Sequence, residues 1–295
     1  MYSGLTSRCN TLSQAYRIAK DYNDKLVIIW TLEDACNISY YDVFSEKQFD
    51  DIDIEIIETI KDSLFKNIPK LIKQFKIKDI LNELRFRKYY REITSGTRYV
   101  EYNPYPGVGW EGAEFEHHLR ACDAKVREIL AGKTPDKLFL HAFNGIFYNS
   151  IPSHDELAAI KFSDSILKQV DEIVGIREMV GLHIRRTDHI KAIEESPIEG
   201  FIKAIEEEVS RDSGTLFFLA TDSEEEEETL KVLFGDRIVI QANKHWGRVD
   251  KDSMISGVID LLCLSRCKYI YGSSGSAFSK FASVYANIEL RIVRG

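Results

Sequence analysis

The chain has 295 residues, 44% hydrophobic and 29% charged, with a formal net charge of −8. That length suits two domains of moderate size, each with a core of its own, and the acidic balance excludes a general nucleic-acid binder, which needs a basic face. No apolar run approaches the roughly 20 residues that cross a bilayer and no signal pattern opens the sequence, so a cytoplasmic protein is expected, with peripheral membrane contact left open.

In chain order, Leu12, Ala15, Ala19 and Tyr22 recur at helical spacing, which predicts a helix over Arg8 to Asp21. The run LVIIW (Leu26 to Trp30) predicts a buried strand. Ile52, Ile54 and Ile56 alternate, and then Ile57, Ile60 and Leu64 shift to helical spacing. Lys66 to Arg91 is basic, with Phe75, Ile80, Leu81 and Leu84 on one helix face, and Tyr102 to Gly112 is a turn-rich loop. Glu114 to Leu130 reads as helix and Leu138 to Ala142 as strand.

The second half is more regular. Strands are expected at Met179 to Ile184, Leu216 to Ala220, Arg237 to Ile240, Tyr269 to Gly272 and Ile288 to Ile292. Helices are expected between them, at Pro197 to Val209, Ser223 to Phe234, Met254 to Ser265 and Ser276 to Tyr285. Pro197 and Ser223 are start signals. This alternation predicts a doubly wound, mostly parallel sheet. A helix over Phe162 to Ile173 leads into it, with the domain boundary near Ser150 to Asp155, giving domains 1–152 and 153–295. Glu224 to Glu228 reads as the solvated first turn of a helix. The five scattered cysteines, without a Cys-x-x-Cys pair, read as reduced buried thiols.

In open α/β sheets, ligands bind beyond the carboxyl ends of the strands. Three segments fall there. His183 to Asp188 (HIRRTD) offers Arg185 and Arg186, whose guanidinium forks suit phosphate oxygens, although an Arg–Asp cluster holding a loop explains it equally well. Ala220 to Asp222 offers Asp222, as a ligand or as a helix cap with Ser223 as competitor. Gly272 to Phe278 (GSSGSAF) is a small-residue turn before a helix, an anion cradle or a plain turn with a serine cap. No P-loop or G-x-G-x-x-G fingerprint occurs. Asp51/Asp53 and Asp250/Asp252 have D-x-D spacing in a poor context, and no metal is expected. Tyr89, Tyr90, Tyr99, Tyr102, Tyr105 and Trp110 suit either a sugar-stacking surface or the first domain's core.

Together these residues resemble the bacterial fucosyltransferase-like glycosyltransferases, a superfamily that includes α-1,6-fucosyltransferases and protein O-fucosyltransferases. Gly181 to Asp188 (GLHIRRTD), Phe218 to Asp222 (FLATD) and Asp260 to Cys267 (DLLCLSRC), followed by Gly272 to Phe278, are similar to its three motifs, in the family order. Gly4, Leu5 and Arg8 with Leu12, then Trp30 and Tyr41 to Phe44, are similar to its first βα unit. Thr6 and Ser7 stand where the family has a Gly-Asn pair, and only three residues precede Gly4, so a very short or missing first strand is expected. The resemblance implies a GT-B-like α/β fold, two Rossmann-like domains facing a cleft. It implies an inverting, metal-independent transfer of fucose or a related sugar from a GDP-sugar to a glycan or other acceptor, with no cofactor. Carried over by motif, Arg185 contacts the diphosphate with Arg186 beside it, and His183 touches the nucleotide. Asp222 or Asp260 reads guanine, and Ser274, Ser276 and Phe278 wrap the phosphate or guanosine. Gly4 and Arg8 belong to the substrate-binding set of the first domain. An inverting transfer needs a base for the acceptor hydroxyl, for which Glu194 and Glu195 are the candidates. Two other readings compete: a GDP-sugar-binding protein without turnover, and a kinase or sulfotransferase on a similar frame, which the missing P-loop lysine opposes.

Overall fold

A computed structural model describes residues 4–22, 25–32, 36–60, 84, 99–101, 113–131, 139–141, 152–187, 190–247 and 250–295. Apart from residue 84, the helix expected within 66–91 lies outside them, as do the loop 102–112, Asp188 and, except for Tyr99, the aromatic set around Tyr89 and Trp110. Two compact units form, one of Met1–Pro152 with Ala159–Lys161, the other of Ser153–Ala158 with Phe162–Gly295. Among the described residues no helix is long and apolar enough to cross a membrane.

In the first unit α1 (Leu5–Tyr22) starts earlier than its spacing suggests and buries Cys9, Leu12, Ile18 and Ala19. β1 (Leu26–Leu32) is followed by the short α2 (Tyr40–Val43) and by β2 (Ile54–Ile60), which pairs parallel with β1, Leu26 opposite Ile54. Ile57 and Ile60, expected on a helix, are therefore strand residues. Trp30 anchors this unit, with Tyr40 and Phe44 edge-on at 5.6 Å each and its indole N–H donating to the Ile38 carbonyl at 2.8 Å. β3 (Tyr99–Glu101) pairs parallel with β4 (Phe139–His141), and α3 (Ala113–Ala131) buries Leu119, Cys122 and Val126 between them in sequence.

The second unit opens with α4 (His154–Ala158) and α5 (Asp164–Val174). Then follow β5 (Met179–Ile184), α6 (Ile190–Glu195), α7 (Ile198–Arg211), β6 (Leu216–Thr221) and α8 (Glu224–Phe234). The chain closes with β7 (Ile238–Val239), α9 (Lys251–Ser265), β8 (Tyr269–Gly272), α10 (Ala277–Ala286) and β9 (Glu289–Ile292). The sheet is parallel throughout, in the order β7-β6-β5-β8-β9.

Alternation along β5 assigns the two faces. Val180 and Leu182 pack with Phe201 and Ile205 of α7 and Leu230 of α8. Gly181 points the other way, where an added Cβ would lie 3.1 Å from Leu264 of α9. Helices thus cover both faces, and α9, which also packs against α5 and α10, is buried on nearly all sides. Crossovers leave β5 on one side and enter β8 on the other, so the strand order reverses between them. In doubly wound sheets such a reversal is where ligands bind, beyond the carboxyl ends of the two strands.

Candidate functional site

Strand register brings the three segments together. His183 pairs with Ala220 on one side and Gly272 on the other, so the ends of β5, β6 and β8 are adjacent. The backbone is locked by Ser273, whose N–H donates to the His183 carbonyl at 3.0 Å and whose hydroxyl accepts from the Arg185 N–H at 3.0 Å.

Asp222 organises the arginine loop. One carboxylate oxygen accepts from the Arg186 N–H at 2.7 Å, and the other from the Thr187 hydroxyl at 2.8 Å. The same second oxygen pairs with the Arg185 guanidinium at 2.7 Å. Ser223, not Asp222, caps α8, accepting from the Glu226 N–H at 3.3 Å. Arg186 pairs with Glu226 at 2.5 Å and donates to the Arg185 carbonyl at 3.0 Å. The run Glu224 to Glu228 is therefore only partly solvated: Glu226 turns inward, and burial pushes the half-buried Glu227 carboxyl up. A pattern of five identical charges hides which of them face the sheet.

His183 is buried and stacked on Phe278, ring centroids 4.9 Å apart. Burial lowers its pKa to about 3, so the ring is neutral at physiological pH. Among the described residues its Nδ1 has no hydrogen-bond partner. Ser276 caps α10, accepting from the Phe278 N–H at 3.3 Å. The N-terminus of α10 thus lies at the end of β8, where backbone N–H groups and the dipole favour an anion. Ser274 is a brace: its hydroxyl donates to Glu195 at 2.5 Å and its N–H to the Ser196 hydroxyl at 2.9 Å. Ser196 in turn donates to the Val293 carbonyl at 2.6 Å, tying the turn to the strand-end segment after β9. Glu194 is exposed on α6, one residue before Glu195.

Asp260 lies on α9 with 4% of its surface exposed. Its Oδ2 pairs with Lys244 at 2.8 Å, and among the described residues its Oδ1 has no partner. Burial raises its pKa to about 6 against the pull of Lys244. The Lys244 ammonium also donates to the Thr221 carbonyl at 2.6 Å and sits 4.5 Å from the centre of the Trp246 ring. Sequence reasoning missed Lys244 and Trp246. They follow β7, so the strand-end rule covers them, but a strand of two residues gives too little pattern to apply it.

Of the remaining candidates, Gly4 and Arg8 belong to the first unit. Gly4 is exposed, and its carbonyl accepts from the Arg8 N–H at 3.2 Å. The Arg8 side chain is fully buried, donating to the Thr31 carbonyl at 2.8 Å and lying 4.5 Å over the Trp30 ring. It is a strut of this unit rather than a surface for ligand. The D-x-D lookalikes are likewise engaged. Asp51 accepts from Tyr16 at 2.9 Å and pairs with Lys20 at 3.0 Å, Asp53 lies 3.6 Å from Lys25, and Asp250 caps α9. Among the described residues no group of three or more His, Cys, Asp or Glu is arranged to hold a metal. All five cysteines are buried and free.

No protein-family model matches the chain, and neither does any curated protein. Solved structures do. The chain is similar to an α-1,6-fucosyltransferase, NodZ, soaked with GDP-fucose, at 15% identity and TM-score 0.60, over 97% of this chain and 90% of that one. It is similar to NodZ from Bradyrhizobium at 15% identity and TM-score 0.57, over 96% and 90%. It is similar to POFUT1 in complex with GDP-fucose at 13% identity and TM-score 0.54, over 99% and 95%. These are proteins of the group that the three motifs resemble, and the chain shares their α/β fold.

Proposed function

We propose that the protein is a fucosyltransferase-like glycosyltransferase that takes a GDP-sugar as donor and transfers fucose, or a related sugar, to a glycan or other acceptor. The observation that carries this reading is the strand-order reversal between β5 and β8, which sets Arg185 beside the 272–278 turn and the α10 N-terminus. The fold shared with fucosyltransferases crystallised with GDP and GDP-fucose supports it.

Transfer from a nucleotide diphosphate sugar develops negative charge on the leaving pyrophosphate, which fixed donors must stabilise. Arg185 supplies the opposing positive charge by exchanging the Asp222 carboxylate for phosphate oxygens. Asp222 keeps its bonds to the Arg186 N–H and Thr187, so the loop stays in place after the exchange. Neutral His183 and Phe278 flank the nucleotide, and Asp260 accepts from the base edge. With this cation and these helix donors in place, the reaction proceeds without a divalent metal and inverts the anomeric centre. Glu194, exposed on α6, is the candidate base, with Glu195 held to Ser274 behind it. The first unit holds the acceptor.

The test is GDP release from GDP-fucose, with and without excess EDTA. Slow release that persists in EDTA supports transferase chemistry without metal. GDP binding without any release under either condition makes the protein a GDP-sugar binder without turnover.

A further inference from the structure

Asp260 is a buried carboxylate with two differently used oxygens. Lys244 holds Oδ2 at 2.8 Å, while among the described residues Oδ1 has no partner, in a residue 4% exposed. A buried acceptor without a donor is costly, which points to a ligand donor there. Lys244 is fully committed: its ammonium bonds Asp260 and the Thr221 carbonyl and faces the Trp246 ring. It therefore links the end of β6 to α9 and is itself not free to bind.

We propose that Lys244 is a specificity-positioning residue: by clamping Asp260 Oδ2 it keeps that side chain an ionised acceptor, and so selects guanine over adenine. This rests on the reading of Asp260 as the base contact. The chemistry follows from the two base edges. Guanine presents two neighbouring donors, N1–H and the exocyclic amino group, which a carboxylate accepts. Adenine presents one donor and one acceptor, N6–H and N1, which a protonated carboxyl matches instead. The protonation state of one side chain thus decides which purine fits.

Among the described residues, Lys244 and Glu227 are the charged groups that bear on that state. Lys244, from the segment after β7, favours the ionised form. Glu227 of α8 opposes it, and burial opposes it more. Cys263, one turn along α9, has its thiol pushed up by burial and is neutral. His183 on β5 is also neutral and feels Lys244. Lysine is thus the cation that offsets burial at this position.

The test compares affinity for GDP and ADP from pH 5 to 8.5, with thermal unfolding in the same buffers to confirm the fold. In the native protein the preference for GDP falls as pH drops through about 6. Lys244→Gln can still donate to the Thr221 carbonyl but carries no charge. It should reduce the preference about tenfold at pH 7 and regain it at higher pH, because loss of an opposite charge moves a carboxyl up by about one to three units. Lys244→Arg should keep the preference. In an Asp260→Asn background, Lys244→Gln should add nothing, since the two act as one. A native preference that is flat with pH overturns the proposal without any variant. So does a Lys244→Gln protein that loses GDP and ADP affinity equally at every pH, which is structural damage. Indifference to purine in the native protein, or an unchanged preference in Asp260→Asn, removes the base-contact reading itself and the proposal with it.

Discussion

Arg185 and Asp222 form the ion pair on which the proposed ligand exchange turns. Their side chains are 15% and 22% exposed, so the contact is shielded yet reachable. Arg185→Ala should leave the fold intact, because Asp222 retains two other donors. GDP affinity should fall at least about tenfold, the equivalent of one charge-assisted hydrogen bond, with sugar transfer lost. Arg185→Lys should recover only part of it, since an ammonium lacks the planar fork. Isothermal titration with GDP checks both. Buried His183 gives a second prediction. Its folded pKa, about 3, lies below the ordinary 6.5, so between those values the unfolded chain binds the extra proton and stability falls with falling pH. Asp260, raised from 3.8 to about 6, acts in the opposite sense between those values, leaving the window from 6 to 6.5 to histidine. His183→Gln should therefore flatten the loss of Tm on acidification below pH 6.5, measured by calorimetry. At this scale the placement of the arginines at a strand end was legible, but a guanidinium that meets a ligand and one that holds a loop carry the same sequence signal. Lys244 was not legible, since a single lysine in a polar segment looks like any solvated one. Asp222 was legible as a residue but not in its role: an aspartate before a serine reads as a cap, and only the contacts show it gripping the arginine loop.

Elements set these residues at their distances. Gly272 ends β8 where α10 crosses closest: a Cβ there would lie 2.8 Å from the Ser279 hydroxyl and 2.9 Å from Leu290. Gly272→Ala should push α10 and its preceding turn off the sheet, costing about 1–3 kcal/mol of stability as an overpacked site does, and weakening GDP binding with it. Ser276→Ala removes the α10 cap and should cost about 1 kcal/mol. Denaturant unfolding beside GDP titration distinguishes the two, because loss of the cap alone leaves the backbone in place. The regular alternation of the second unit was readable because short apolar runs there alternate with helix-length segments, two of which open on the start signals Pro197 and Ser223. In the first unit, β2 runs Ile-Glu-Ile-Ile-Glu-Thr-Ile, mixing spacings of two and three. Its isoleucines therefore fit a helix as well as a parallel strand, and only pairing with β1 decides.

The whole molecule forms two compact units of almost equal size. Alternating strands and helices with right-handed crossovers foretell a parallel sheet covered on both faces, whereas the strand order 7-6-5-8-9 is a feature of the folded chain that alternation does not encode. A sheet of this kind serves many chemistries, and the assignment of a guanine nucleotide rests on the residues at the switch point. The measurement that tests this most directly is thermal unfolding of the intact protein with GDP, GDP-fucose, UDP and ADP, alongside Arg185→Ala. A nucleotide at a hundred times its dissociation constant adds about 2.7 kcal/mol. The account predicts a raised Tm with GDP and GDP-fucose, little change with UDP or ADP, and a GDP effect that is lost in Arg185→Ala. Equal stabilisation by ADP or UDP, or a GDP effect undiminished in Arg185→Ala, would contradict it.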